Sequence, residues 1–416
     1  MRTKSGVLIV SILFCFIIFC GFGCKKAGNP IKIGHIHSIS GAMSMYGKSC
    51  ATGGEIAIEE INAAGGVLGR PLEQITRDDN LKPEIGLREA KNLVINDKVD
   101  FLTGTISSAV AQAISNYAKE EKKIFIVNIA QSSTLTEENF HRYIFRIDTN
   151  SIPYWGYAPA LALAETWKNK KIISLGFDYV TGKDTLKAFK EKYLPLVPGA
   201  KIVGELWAPL NTTDFTAYIT KMKNSKADAF FLACIYGGGE LAFTKQAWAH
   251  GLYDKMKAIQ SCAGDVETWS SVKKGEPYPK GAIATSRYPF WAIDDPKSKE
   301  FTKKHHDRLG YWPSYGAMNQ YVIVYALKNA IEKVGAVDTE KIINALEGME
   351  LNTFVGTVKI RKCDHQAMMP TWYGYVDFTP ELPFPIITRV KALGEDSYHS
   401  CEQIEKIRLA ATPKQP

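Results

Sequence analysis

The sequence lacks the short motifs that carry most hydrolytic, phosphate-binding and metal-dependent chemistry. Its 416 residues contain no G-x-S-x-G, Walker A, G-x-G-x-x-G or H-E-x-x-H pattern, which are the signatures of many serine hydrolases, nucleotide-binding proteins and metalloproteases. No C-x₂-C pair is present either, which argues against a structural zinc site. We therefore expect a protein that binds rather than catalyses, with no cofactor and no metal.

Long runs of like charge are also missing, and so are long apolar runs beyond the N-terminus. The 51 Lys and Arg and 43 Asp and Glu give a net charge of +8, but they are interspersed, which argues against a nucleic-acid partner. After residue 24 no apolar stretch reaches the roughly 20 residues that a membrane-spanning helix needs. A hydrophobic content of 45% instead predicts a globular chain with a large core.

The N-terminus departs from this pattern. Arg2 and Lys4 precede an almost wholly apolar segment, residues 6–23, which is typical of a secretory signal peptide. No A-x-A-like cleavage pair follows, but Gly23 directly precedes Cys24, and this resembles the bacterial lipobox, whose cysteine is acylated and becomes the first mature residue. We predict a lipoprotein-type signal peptide over residues 1–23 and lipidation of Cys24. A retained anchor and an ordinary signal peptide are the alternatives.

An odd number of cysteines would remain after export. Cys15 and Cys20 would leave with the signal peptide and Cys24 would carry lipid. The remaining five are Cys50, Cys234, Cys262, Cys363 and Cys401. In an oxidising compartment an odd number means at least one free thiol or an intermolecular pair. Cys363 and Cys401 share the loop-rich C-terminal part, so we predict a disulfide between them, with Cys234 and Cys262 as the next candidate pair.

Strand-like and helix-like segments alternate from residue 31 onwards. "IKIGHIHSIS" precedes a helix predicted over Gly53–Ala64, and "LEQITRDDN" precedes a helix with Pro83 in its first turn. The same alternation returns from "KKIISLGFD". Such alternation predicts parallel sheets covered by helices on both faces. Because there are too many units for one compact sheet, we expect an α/β fold with two Rossmann-like lobes, first linked near Arg146–Ser151.

Small hydroxyl and aromatic side chains collect at four predicted strand-to-helix corners. The corners are Ser38–Tyr46, Thr105–Ser108, Ala130–Ser133 and Asp178–Gly182. In open α/β sheets, ligands bind at the carboxyl ends of strands. Ser107 and Ser108 open a predicted helix, so their hydroxyls and the free N–H groups of that helix form a candidate anion site. The alternative is that one serine merely caps the helix.

The corners belong to a longer pattern. "GAMSMYG", followed by "GGEIAIEEINAAGGVLGRPLEQITRDDN", resembles the branched-chain amino acid-binding family of type I periplasmic binding proteins, the substrate-capturing components of ABC importers. The resemblance implies a periplasmic location, an ABC permease with its ATPase as partners, and two lobes joined by a three-crossover hinge that close on the ligand. The implied lobes are residues 24–148 plus 282–355 and residues 149–281 plus 356–416.

The resemblance also implies which residues bind. Carried over by position, they are Tyr46, Ser107, Ser108, Ala130, Gln131, Ser132, Tyr179, Tyr236 and Asp265. Ser108 would hold a ligand carboxylate, and Asp265, within "CAGDVE", would meet a ligand ammonium. The implied ligand is a small carboxylate, foremost an aliphatic or branched-chain amino acid. An aromatic carboxylate or amide, and a sensory role for the same fold, are the alternatives.

Overall fold

The structure, a computed structural model, describes residues 28–411 except 169 and 395–396. The predicted signal peptide and Cys24 lie outside the described residues. The strands are β1 (Ile31–His37), β2 (Leu72–Asp78), β3 (Phe101–Gly104), β4 (Phe125–Val127), β5 (Ile144–Arg146), β6 (Lys171–Phe177), β7 (Lys201–Ala208), β8 (Ala229–Ala233), β9 (Lys257–Gln260), β10 (Ile283–Ser286), β11 (Glu350–Thr353), β12 (Gly356–Lys359), β13 (Thr371–Asp377) and β14 (Ile386–Leu393).

Thirteen α-helices of the described residues connect and cover these strands. They are α1 (Ser44–Ala63), α2 (Pro83–Ile95), α3 (Ser108–Glu120), α4 (Ala158–Thr166), α5 (Val180–Leu196), α6 (Thr216–Asn224), α7 (Gly237–Ala249), α8 (Leu252–Lys255), α9 (Val266–Trp269), α10 (Pro296–Leu309), α11 (Tyr315–Val334), α12 (Thr339–Leu346) and α13 (Cys401–Ala411). A short π-helix, Ile152–Tyr157, leads into α4.

The first sheet contains five parallel strands in the order β2-β1-β3-β4-β5. Its central strands are almost wholly buried because helices cover both faces: every residue of β3 and β4 is buried, as parallel sheets require. The helix α1 packs against α11, whose sequence lies more than 250 residues further on. The first lobe is therefore completed by a distant part of the chain.

The second sheet has seven strands in the order β14-β13-β10-β9-β8-β6-β7. Strands β6 to β10 run parallel and repeat the topology of the first sheet, while β13 and β14 add to it antiparallel. The strands β11 and β12 form a separate hairpin. Two parallel α/β units of the same topology are what the alternation in the sequence predicted.

The chain passes between the two sheets three times, and two passages lie later than the expected boundaries. The first follows β5, and the predicted boundary at residue 148 lies two residues after that strand. The boundary expected at residue 282 precedes β10, but β10 pairs with β9 and β13 in the second sheet, so the return follows Ser286. The boundary expected at residue 356 would divide the β11–β12 hairpin, whose strands hold each other by backbone hydrogen bonds. The third passage therefore lies between Lys359 and Thr371.

The C-terminal helix α13 is held against the rest of the chain by a covalent bond and by polar contacts. Cys363 and Cys401, the pair predicted from the sequence, are joined in a disulfide. Cys234 and Cys262, the other candidate pair, are free and buried. Arg408 of α13 donates to the backbone carbonyls of Thr136 and Cys363. Within the described residues, no helix is long and apolar enough to cross a membrane.

Candidate ligand-binding site

The carboxyl ends of β3 and β4 bring together the polar corners of the first lobe. Ser107 caps α3, since its side chain accepts a hydrogen bond from the N–H of Val110 at 3.4 Å. Ser108 lies one residue on and its Oγ accepts from the N–H of Ser132 at 3.1 Å. Ser107 therefore caps the helix, whereas the half-buried Ser108 accepts through its Oγ and still has a hydroxyl proton to donate.

The segment after β4 is fixed from both sides. Ala130 is buried and its N–H donates to the carbonyl of Thr105 at 2.9 Å. The backbone carbonyl of Ser132 accepts from Nη2 of the buried Arg146 at 2.6 Å. Gln131 accepts at Oε1 from the indole N–H of Trp155 at 2.7 Å, whereas its Nε2 is buried and has no partner among the described residues. This amide N–H is therefore a second donor beside Ser108.

Aromatic rings follow the strand ends of the second lobe. The Tyr179 hydroxyl lies 3.0 Å from Sγ of Cys234. Tyr236, directly before α7, is 38% exposed, and its ring centroid lies 6.3 Å from that of Trp155. Trp155 itself is buried and touches Tyr154 edge to face, with 5.2 Å between ring centroids. Trp155, which the sequence left only as a candidate aromatic, therefore joins the first-lobe donors to the second-lobe rings.

A buried ion pair occupies the acidic position expected from the sequence. Oδ2 of Asp265 accepts from Nη2 of Arg287 at 2.7 Å, and both side chains are 5% exposed. Burial raises the pKa of Asp265, and Arg287 opposes that change. The charge that was expected to meet a ligand ammonium is thus already balanced by an arginine, which the sequence reading did not find.

A second acid, Glu267, lies two residues further along. Its Oε1 accepts from the backbone N–H of Tyr315 at 3.2 Å. Burial, followed by the charge of Asp265, raises the pKa of Glu267 to about 8. Tyr46 is close by: its ring lies 6.4 Å from that of Tyr315, and burial followed by Glu267 raises its pKa. Glu267 is the last residue of the segment "CAGDVE", and its position there is the only sequence signal that could have identified it.

These residues form two adjoining groups. The first contains Ser108, Gln131, Trp155 and Tyr236, and the second contains Tyr46, Asp265, Glu267, Arg287 and Tyr315. Tyr154 links them because its ring contacts Trp155 and stacks on the Arg287 guanidinium. Among the described residues, no cluster of three or more His, Cys, Asp or Glu side chains could hold a metal ion. The arrangement offers hydrogen-bond donors, aromatic walls and ionisable groups suited to holding a small polar molecule.

The comparison with known proteins decides the family. A family profile described as periplasmic binding protein matches residues 30–379. The chain belongs to this family. The leucine-, isoleucine-, valine-, threonine- and alanine-binding protein of Pseudomonas aeruginosa is 29% identical over 371 residues, with 85% of this chain and 92% of the relative covered.

Solved structures agree with the family. An ABC-type branched-chain amino acid transporter protein from Rhodopseudomonas palustris is 27% identical with a TM-score of 0.77, and the match covers 89% of this chain and 98% of that one. A solute-binding protein from Rhodopseudomonas palustris in complex with 3,4-dihydroxybenzoic acid has a TM-score of 0.75 at 24% identity, covering 88% and 98%. The latter likeness concerns the fold alone.

The family and fold predicted from the sequence are therefore confirmed. This periplasmic binding protein has the type I fold, with two Rossmann-like lobes and three crossovers. It is a solute-binding protein of an ABC transporter, in a family whose members bind small molecules for transport. Membership implies export to the periplasm and a permease partner. The individual ligand contacts, the first lobe boundary and the lipid anchor stay predictions, whereas strand pairing moves the other two boundaries.

Proposed function

We propose that this periplasmic binding protein captures a small carboxylate-bearing molecule between its lobes and delivers it to an ABC permease and its ATPase. The supporting observation is the corner at the start of α3. There Ser108, the buried and unpartnered Nε2 of Gln131, and the free N–H groups of a 13-residue helix converge. A carboxylate is stabilised at such a position by the helix dipole and by charge-assisted hydrogen bonds.

An aliphatic or branched-chain amino acid is the first ligand candidate. The Pseudomonas aeruginosa relative is named for binding leucine, isoleucine, valine, threonine and alanine. An amino acid also needs a partner for its ammonium. Because Arg287 already balances Asp265, we propose Glu267 for that role, with Asp265 as a more distant contributor. Burial favours the protonated form of Glu267, and the positive charge of a ligand ammonium would favour its ionised form instead.

An aromatic carboxylate is the second candidate, and the aromatic walls favour it. The rings of Trp155, Tyr179 and Tyr236 lie near the carboxylate corner. The ring of an aromatic ligand can pack against them there, edge to face. A ligand without an ammonium would need no free acid, which agrees with the Asp265–Arg287 pair. A solved structure of the same fold carries 3,4-dihydroxybenzoic acid.

The mechanism we propose is capture by lobe closure. Ligand binds the donors of the first lobe, and the second lobe then closes over it, so that the ligand stabilises the closed state by its greater affinity for it. The exported chain would be held at the periplasmic face of a bacterial membrane by a lipid on Cys24. The alternative is a sensory role, in which a signalling protein instead of a permease would recognise the closed lobes.

Titration calorimetry tests the carboxylate site. The purified full-length protein, unfolded and refolded to remove bound ligand, is titrated with leucine, phenylalanine, benzoate and acetamide. We expect at least one carboxylate to bind, and Ser108→Ala to weaken it roughly 10- to 150-fold, the loss of one charge-assisted hydrogen bond. Ser107→Ala is the matched control: it removes a cap and about 1 kcal/mol of stability but little affinity. Binding of acetamide alone would refute the proposal.

A further inference from the structure

The guanidinium of Arg287 is buried with most of its hydrogen-bonding capacity unused. Arg287 lies directly after β10 and is 5% exposed. Its Nη2 donates to Asp265, whereas Nε and Nη1 have no acceptor within the described part of the chain. An arginine carries five N–H donors and cannot lose its charge, so unmatched donors at a buried site are unfavourable until an acceptor arrives.

Two tyrosine rings restrict how an acceptor can approach. The guanidinium carbon lies 4.0 Å from the ring centroid of Tyr154 and 3.3 Å from that of Tyr315. These rings cover the guanidinium and hold its orientation by stacking. An acceptor therefore has to come in the plane of the N–H groups, which is the geometry in which arginine binds carboxylate, carbonyl or hydroxyl oxygens.

The neighbours of Arg287 place it at the proposed ligand site. Tyr315 is the ring neighbour of Tyr46, and Tyr154 is the ring neighbour of Trp155, whose indole contacts Gln131. Arg287, a member of the group that contains Tyr46, thus lies next to the group that contains the carboxylate corner, with Tyr154 between them. Ligand bound at that corner would extend towards it.

The acids around Arg287 do not use up its free donors. Asp265 contacts Nη2 alone. Asp148 uses one oxygen to accept from Asn319 at 2.9 Å, and its Oδ2 is unpartnered and forms no ion pair with Arg287. Glu267 accepts from the backbone of Tyr315. Since one carboxylate already balances the arginine, its remaining N–H groups are suited to an uncharged oxygen as well as to a second carboxylate.

We propose that Arg287 is a specificity-determining residue that binds an oxygen acceptor at the end of the ligand remote from its carboxylate. This inference rests on the proposed function. Among the ligands that carboxylate capture allows, it ranks small molecules with two separated oxygen-bearing ends above leucine and benzoate. Examples are a hydroxylated or dicarboxylic aromatic acid, or an amino acid with an amide or carboxylate side chain. Selectivity of this kind is strong because an analogue without the second oxygen leaves buried donors unpaired.

Matched ligand pairs test the inference by calorimetry on the full-length protein. The pairs are benzoate with 4-hydroxybenzoate or terephthalate, and leucine with glutamine or glutamate. We expect the two-ended member of at least one pair to bind at least tenfold more tightly. Comparing the affinities for 4-hydroxybenzoate, for terephthalate and glutamate, and for glutamine then identifies whether Arg287 prefers a hydroxyl, a carboxylate or an amide oxygen.

Two variants separate recognition from folding. Arg287→Met combined with Asp265→Asn removes both charges, so that no buried acid is left unpaired, and in protein that still unfolds cooperatively it should reduce the preference to about onefold. Asp265→Asn alone keeps the arginine and should keep the preference. An equal affinity for both members of every pair in the wild type, or a preference that survives in the double variant, overturns the inference but leaves carboxylate capture standing. Failure of all six compounds to bind overturns both.

Discussion

Glu267 and Tyr315 join the two lobes through one hydrogen bond. Oε1 of Glu267, in the helix that follows β9, accepts from the backbone N–H of Tyr315 at 3.2 Å, and Tyr315 is the first residue of α11 in the other lobe. The N-terminus of the 20-residue helix α11 favours the ionised carboxylate of Glu267, whereas burial favours its protonated form. Contact between the lobes and the protonation of a carboxyl therefore meet at Glu267, the residue proposed to hold a ligand ammonium.

The first prediction is that Glu267 makes stability depend on pH. Its pKa is raised from 4.5 to about 8, so between these values the folded state keeps a proton that the unfolded state has released. The stabilisation is complete below about pH 4.5 and is lost as pH rises through about 8. Urea unfolding at pH 6.5 to 8.5 should give a wild-type free energy of unfolding that falls relative to that of Glu267→Gln, by at most about 1.4 kcal/mol per pH unit.

The choice of this pH range avoids the buried histidines. His37 has its pKa lowered to about 3 by burial, so it changes stability mainly below pH 6.5, where the unfolded state takes up a proton. Asp148, whose pKa burial raises to about 7, contributes in the same direction as Glu267 and is present in both proteins. Parallel curves for wild type and Glu267→Gln would contradict the prediction.

The second prediction concerns proton release on binding. If an amino acid places its ammonium beside Glu267, the positive charge lowers the pKa of that carboxyl and it ionises. Leucine titrated at pH 7 should therefore release up to about one proton, measured as a difference in heat between phosphate and Tris buffers. Glu267→Gln should abolish the difference, and benzoate should show none. Tight leucine binding with equal heats in both buffers would exclude Glu267 as the ammonium partner.

The third prediction concerns the disulfide between Cys363 and Cys401. It closes a loop of 38 residues and fastens α13 beside the first lobe. In the chain-entropy account, a loop of this length contributes about 3–4 kcal/mol. The double variant Cys363→Ala/Cys401→Ala should lose that much in urea unfolding, and reductant should destabilise wild type but not the variant. Equal stability of both proteins with and without reductant would show that the contacts of α13 suffice.

Features that depend on neighbouring residues were predicted well from the sequence, whereas contacts between residues distant in the chain were predicted poorly. The alternation of apolar strands and helices, the Pro83 helix start and the serine corner were each readable within about ten residues. Arg287, Tyr154 and Tyr315 were not, because Arg287 lies 133 residues from Tyr154 and 28 from Tyr315 in the chain, and the three share no periodicity. Asp265 was predicted as the acid of the site, but only the fold reveals the arginine that balances its charge.

The passages between lobes were predicted imperfectly for a related reason. Strand β10 is only four residues long, and nothing within "IATS" states which sheet it joins. Its partners β9 and β13 decide that, and β13 lies about 85 residues further on. The boundary at residue 282, which was carried over from the family resemblance, therefore falls a few residues before the chain leaves the second sheet.

The last prediction links helix packing to the site. At Gly53 in α1, an added Cβ would lie 2.1 Å from the carbonyl oxygen of Ala317 in α11, a backbone atom that can move only with its helix. Gly53→Ala should therefore cost about 1–3 kcal/mol, although alanine favours helices. Because Ala317 is two residues from Tyr315, the shift should also disturb the ring beside Tyr46 and weaken ligand binding. The matched control is Gly238→Ala in α7, where nothing lies within 4 Å of the added carbon and stability should hold or rise. Thermal unfolding and calorimetry of both variants test this prediction. If Gly53→Ala were as stable as Gly238→Ala and bound ligand as tightly, α11 would be able to move without affecting the site.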